Sequence, residues 1–188
     1  MTYVELIVVL SIFSVMSSIV IFNYGDFQSK VDMKNLANDI ALKIVEAQKA
    51  AIFGKFPNPA QQAGLPLDWK PSYGIYLNKT SDPKSFFYFV DLDGNHLYDG
   101  GDCTGECVEK ITITKGNSIS SLDVFYLGDS TVSVNDLTLS FVRPNSAAEI
   151  KSSAPLNSNI SYVQITTISP KSTQANIKLY ASGRIQIN

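Results

Sequence analysis

The chain has 188 residues, of which 45% are hydrophobic and 17% charged, with a formal net charge of −2. Those values exclude a disordered polyelectrolyte and binding to nucleic acid by bulk positive charge, and they suit one cored domain with an appendage. The average hides an asymmetry: no charge occurs between Leu6 and Phe22, while the remainder reads as ordinary soluble sequence.

Residues 1–22 read MTYVELIVVLSIFSVMSSIVIF, and the uncharged run within them is 17 residues long. As a helix rising about 1.5 Å per residue it spans roughly 26 Å, enough to cross a hydrocarbon core. Ser11, Ser14, Ser17 and Ser18 interrupt it mildly, and serines in such helices bond back to the preceding turn. No Lys or Arg precedes the run, so either a basic leader has been removed or this is not a secretory signal of that type. Glu5 stands just ahead of it. A carboxylate in a membrane or a packed helix bundle needs a partner, and the nearest cation is an α-amino group at Met1, its own or a neighbour's. The alternative is a solvated Glu5 at the headgroup level of a simple anchor.

Asn23-Tyr24-Gly25-Asp26 reads as a break, after which Val31, Leu36, Ile40, Ile44, Ala47 and Ala51 recur at helical spacing with charges between them. This amphipathic helix is expected to stop near Gly54, with Pro57 and Pro59 beyond it. Residues 55–71 hold four prolines and read as an irregular loop. Eight strands are expected after that, at Tyr73–Asn78, Ser85–Asp91, Val108–Thr114, Leu122–Leu127, Leu137–Val142, Tyr162–Ile168, Ile177–Tyr180 and Arg184–Ile187. The expected fold class is α+β: a hydrophobic stalk helix over residues 1–25, an amphipathic half over 26–54 packed on the head, and a β-rich head over 55–188.

Cys103 and Cys107 lie in a CTGEC stretch. A zinc site would need two further ligands, and His96 is the single histidine. If the head lies outside the cytoplasm the pair reads as a disulfide-closed loop, and otherwise as free thiols. Just upstream, Asp91, Asp93, Asn95, Asp99 and Asp102 occupy positions 1, 3, 5, 9 and 12 of a twelve-residue window, a spacing whose oxygens can converge on structural calcium. Gly94 at position 4, His96 at position 6 and a short Asp at position 12 depart from the helix–loop–helix calcium pattern. The competing reading is a turn whose side chains bond to local backbone. No phosphate loop or nucleophile elbow occurs, and a Cys–His pair would need a free thiol beside His96, so no enzyme is expected. Tyr24, Trp69, Phe86, Phe87, Tyr88 and Phe89 read as packing residues.

MTYVEL followed by an apolar run resembles the mature N-terminus of type IV pilins and pseudopilins, with Thr2, Val4, Glu5 and Leu6 matching, Met1 in place of the usual Phe and Tyr3 in place of Leu. The resemblance implies that a prepilin peptidase cuts before Met1 and methylates it. It also implies that Glu5 pairs with the amine of residue 1 on an adjacent identical subunit as helices bundle in a filament. EAQKAAIFGK, FVDLDGNHLYDGGD and the closing SGRIQIN are similar to the minor pseudopilin H class of type II secretion. Some pseudopilins bind calcium through aspartate-rich loops. The implied function is a structural subunit of a type IV pilus or similar filament serving adhesion, twitching motility or DNA uptake. Such a subunit is pooled in the cytoplasmic membrane, handled by the pilus assembly machinery, and displayed outside the cell. The alternative is a minor pilin or a membrane-anchored protein that captures DNA or a surface ligand. For DNA the candidate is Arg184: residues 151–188 carry Lys151, Lys171, Lys178 and Arg184 without an acid, and Gly183 and Arg184 match a basic ending whose second Arg is replaced by Gln186.

Overall fold

The computed structural model describes residues 2–62, 65 and 69–188. Helix α1 runs unbroken from Tyr3 to Ile52, 50 residues. Thr2 caps its start. The C-terminal end is a Schellman turn, in which the Gly54 amide bonds Ala51 O (3.1 Å) and the Lys55 amide bonds Ala50 O (2.9 Å). Gly54 supplies the required positive φ of 67°.

The expected break at residues 23–26 does not occur. None of the four residues is Pro, and a helical Gly costs only about 1 kcal/mol relative to Ala, too little to interrupt a helix supported on its far side by tertiary contacts. Gly25 also leaves room for Lys171, because a β-carbon there would collide with the Lys171 ammonium. The proline-rich segment is not wholly irregular either. It contains a single helical turn, α2 (Pro59–Gln62), whose Asn58 side chain accepts from the Gln61 amide at 3.0 Å.

All eight expected strands form, with shifted ends, together with two more. In chain order they are β1 (Ser72–Asn78), β2 (Asp82–Val90), β3 (Cys107–Thr112), β4 (Ser118–Tyr126), β5 (Thr131–Val134), β6 (Asp136–Val142), β7 (Ala148–Lys151), β8 (Ile160–Ile168), β9 (Gln174–Tyr180) and β10 (Ile185–Ile187). The unexpected ones are β5 and β7, each four residues long and with little buried apolar surface, so alternation could not reveal them. The chain is α+β, with two five-stranded antiparallel sheets ordered β3-β2-β1-β6-β7 and β10-β9-β8-β4-β5.

Both sheets close on the second half of α1. Met33, Leu36, Ala37, Ile40, Ile44, Ala47 and Ala51 form its buried stripe, at the three- and four-residue steps of one helix face. They meet Tyr73, Ile75, Phe86, Tyr88, Leu137 and Leu139 of the first sheet and Leu122, Val163, Ile165, Ile177 and Leu179 of the second. The first sheet is buried on its other face too, where Phe87 and Phe89 lie. Gly74 permits this: a β-carbon there would strike Leu139 O and the Phe89 ring. What covers that outer face is the loop between β2 and β3.

Candidate functional site

Two places carry chemistry: the bare half of α1 and the loop joining β2 to β3. The N-terminal half of α1 is long and apolar enough to cross a membrane. Its large side chains, among them Leu6, Val9, Phe13, Met16 and Ile21, are exposed in the single chain. Tyr24 belongs to this protruding part and is exposed, so the packing role expected for it is not met; it lies before the helix reaches the head. A polar collar marks that point. Lys171 pairs with Asp26 at 3.0 Å, Ser29 Oγ lies 2.9 Å from Ser169 Oγ, and Lys115 pairs with Asp32 at 2.6 Å.

Glu5 sits in the first turn of α1. Its Oε2 accepts from the Thr2 amide at 3.3 Å, and its own amide donates to Thr2 Oγ1 at 3.4 Å. This is a reciprocal capping box, which satisfies two amides that no helical carbonyl can reach. Thr-x-x-Glu is its sequence signature, a role not contained in the expectation of Glu5 as the partner of an α-amino group or as a solvated headgroup-level charge. Met1, with its expected methylation and pairing, lies outside the described residues.

The β2–β3 loop is built around two buried carboxylates. Asp91 Oδ1 accepts from the Gly94 amide (2.7 Å) and Oδ2 from the His96 amide (3.2 Å), with His96 Nδ1 also 3.2 Å from Oδ2. Glu106 Oε1 accepts from the Leu92 amide (2.9 Å) and Oε2 from the Asp99 amide (3.1 Å). Burial pushes both carboxyls above the ordinary carboxylate range, against the opposing pull of those amides. Tyr98 clamps the loop to the sheet, its ring centroid 5.0, 5.2 and 5.4 Å from those of Tyr76, Phe87 and Phe89. Lys151 donates to Asn95 O at 2.6 Å, and Trp69 Nε1 to Asp91 O at 2.9 Å.

The five residues expected to converge on a cation do not all do so. Oxygens of Asp91, Asp93 and Glu106 come within 4.8 Å of one another. The Asn95 amide group bridges Asp93 (2.9 Å) and Asp99 (2.7 Å) beside them. Asp102 faces away, 84% exposed and paired with Lys110 at 2.7 Å. Glu106 takes the place expected of Asp102. Glu106 lies within the CTGEC stretch, beyond the twelve-residue window that the aspartate spacing defines. Cys103 and Cys107 form a disulfide with their Cα atoms 4.7 Å apart, and that turn returns Glu106 to Asp91. With both thiols in this bond, neither is free to act as a nucleophile beside His96.

No protein-family model, no curated protein and no solved structure matches the chain.

Arg184 stands at the turn into β10 with its guanidinium carbon 4.0 Å from the Tyr180 ring centroid. Tyr180 continues a cross-strand row with Tyr162 and Phe125, and Lys178 lies over Tyr162 at 4.9 Å. Phe125 and Tyr162 stack on each other at 4.5 Å, so these ring faces are turned to neighbours within the sheet. Lys151 and Lys171 are engaged elsewhere, on Asn95 O and Asp26. The four cations of the acid-free C-terminal segment therefore serve different elements.

Proposed function

We propose that this chain is a filament subunit of the type IV pilin and pseudopilin kind, held in a membrane by the first half of α1 and polymerised through it. The observation that carries the reading is one continuous helix with two unlike halves. One is buried between two sheets, and the other is apolar, exposed and opened by a single carboxylate. An apolar helical surface of that length requires lipid or other helices around it. Packing against lipid and packing against copies of the same helix differ little in apolar burial, so the gain on assembly has to come from fit and from pairing Glu5. In this reading Val4, Leu6, Ile7, Val8, Val9, Leu10, Ile12 and Phe13 line the filament core, and Glu5 pairs with the residue 1 amine of the adjacent subunit.

The capping box makes a sharp test available, because Gln serves at the third helical position of such a box as well as Glu. Glu5→Gln keeps the cap and loses the charge. We expect a folded, membrane-inserted subunit with sharply reduced surface filaments, measured by electron microscopy and mass spectrometry of sheared material. Wild-type filament yield from Glu5→Gln would reduce Glu5 to a helix cap and sink its assembly role. The same spectra read the native N-terminus. A methylated Met1 supports prepilin processing, whereas an unprocessed chain found only in membranes supports an anchored binding protein that never polymerises.

A further inference from the structure

We infer that the rim of the head nearest the stalk is a lipid-contact surface that rests on anionic phospholipid headgroups; this builds on the membrane-held reading of α1. Tyr3 and Tyr24, both exposed, bracket the apolar run. At about 1.5 Å per residue they stand about 31 Å apart along α1, close to the roughly 30 Å of a hydrocarbon core, and tyrosine favours the two interfaces of a bilayer. The helix continues unbroken into the head, so no linker lets the head stand off. Its Asp26–Lys171 pair with the head comes about 3 Å beyond Tyr24, and its Asp32–Lys115 pair about 12 Å beyond. A headgroup layer is roughly 5–7 Å deep. The turn between β8 and β9 that carries Lys171 therefore sits within that layer, and the turn between β3 and β4 that carries Lys115 sits just outside it.

The charge on this rim is complementary to anionic lipid. Residues 24–34 and the two turns hold four lysines and two aspartates, although the whole chain carries −2. Asp26 and Asp32 are each neutralised by a lysine whose side chain is half exposed and keeps further N–H donors for a phosphate. Lys30 and Lys34 are exposed, and among the described residues neither forms an ion pair. They share one side of the helix with the exposed Phe27, at steps of three and four residues. Helical side chains lean toward the N-terminus, so both lysines reach back toward the bilayer. Their ammonium groups then lie within a Debye length, about 8 Å at physiological salt, of the headgroup phosphates. The four lysines are spread around α1 and do not converge, which fits a plane of headgroups and not a single bound phosphate. Tyr24 and Phe27 add exposed rings at the same level, where aromatic side chains anchor a helix in the interface.

The test uses the full chain, its disulfide kept oxidised, in vesicles of phosphatidylcholine and phosphatidylglycerol. A fluorophore is attached through Ser172→Cys, beside Lys171, or through Ser130→Cys, in the turn at the far end of β4; both serines are exposed. It is quenched by a nitroxide placed high on the acyl chain of one lipid or the other. We expect quenching at position 172 and none at position 130. At position 172 the nitroxide on phosphatidylglycerol should quench about twofold or more strongly than the same nitroxide on phosphatidylcholine. Combining Lys30→Gln with Lys34→Gln should bring that ratio close to one, as should about 0.5 M NaCl. The proposal is overturned if position 172 is as free of quenching as position 130, if the two lipids quench equally in the wild-type chain, or if the preference survives the double variant. Flotation of the same vesicles separates the two readings. A chain that floats but shows no quenching at the rim keeps its membrane anchor and loses this surface, whereas a chain that does not float loses both.

Discussion

Tyr98 is the residue on which the docking of the β2–β3 loop turns. Its ring meets Tyr76, Phe87 and Phe89 at centroid distances of 5.0–5.4 Å, while its hydroxyl donates to Gly101 O at 3.1 Å. Truncating a fully buried aromatic residue to Ala costs about 3–5 kcal/mol, and Tyr98 is partly exposed, so Tyr98→Ala should cost about 2–3 kcal/mol. Tyr98→Phe removes one hydrogen bond at the surface and should cost less than about 1 kcal/mol. For a chain of this size that separates the two variants by roughly 4–8 °C in melting temperature. The assay is thermal and urea unfolding of the full chain in detergent, with limited proteolysis to locate the opening. Tyr98→Ala should expose new cleavage sites between residues 92 and 105. Equal stability of the Ala and Phe variants, with unchanged proteolysis, would show that the loop is held by its backbone bonds and not by this ring.

Other perturbations have equally definite outcomes. Ile40 is fully buried between the sheets, so Ile40→Ala should destabilise the head by about 2–5 kcal/mol in urea unfolding without removing the chain from membranes. Gly74→Ala places a methyl group against Leu139 O and the Phe89 ring in the strand between β2 and β6; a loss of at least about 1–3 kcal/mol is expected, and a neutral effect would contradict the close approach. Asp32 is held below the ordinary carboxylate value of 3.8, chiefly by the hydrogen bond from Lys115. Its contribution is therefore present above the unfolded pKa and fades as pH falls through the folded one, and Asp32→Asn should flatten that part of the acid unfolding curve.

Much of this architecture was legible in the order of residues, because helix and strand periods are local properties. The apolar run after Glu5, the stripe from Leu36 to Ala51, the Gly54 stop and eight strands all follow from side-chain spacing and turn chemistry, whereas at the start of the stripe Met33 is buried in place of the expected Val31. The expected break at residues 23–26 failed because it weighed Asn and Gly locally, whereas the continuity of α1 is supported by the collar at Asp26, Ser29 and Asp32. β5 and β7 escaped because edge strands of four residues gain their order from the strand beside them. The acidic loop shows the same division. Its spacing announced a cluster of oxygens, but spacing along a chain does not say which side chains turn inward. Asp102 is drawn outward by Lys110, and Glu106 is brought inward by the Cys103–Cys107 turn and the paired amides of Leu92 and Asp99. By itself the sequence determined the elements and their apolar faces, which depend on neighbours within a few residues. Only the tertiary structure decided which carboxylates converge, since that depends on where a disulfide turn and a clamped tyrosine hold residues fifteen positions apart.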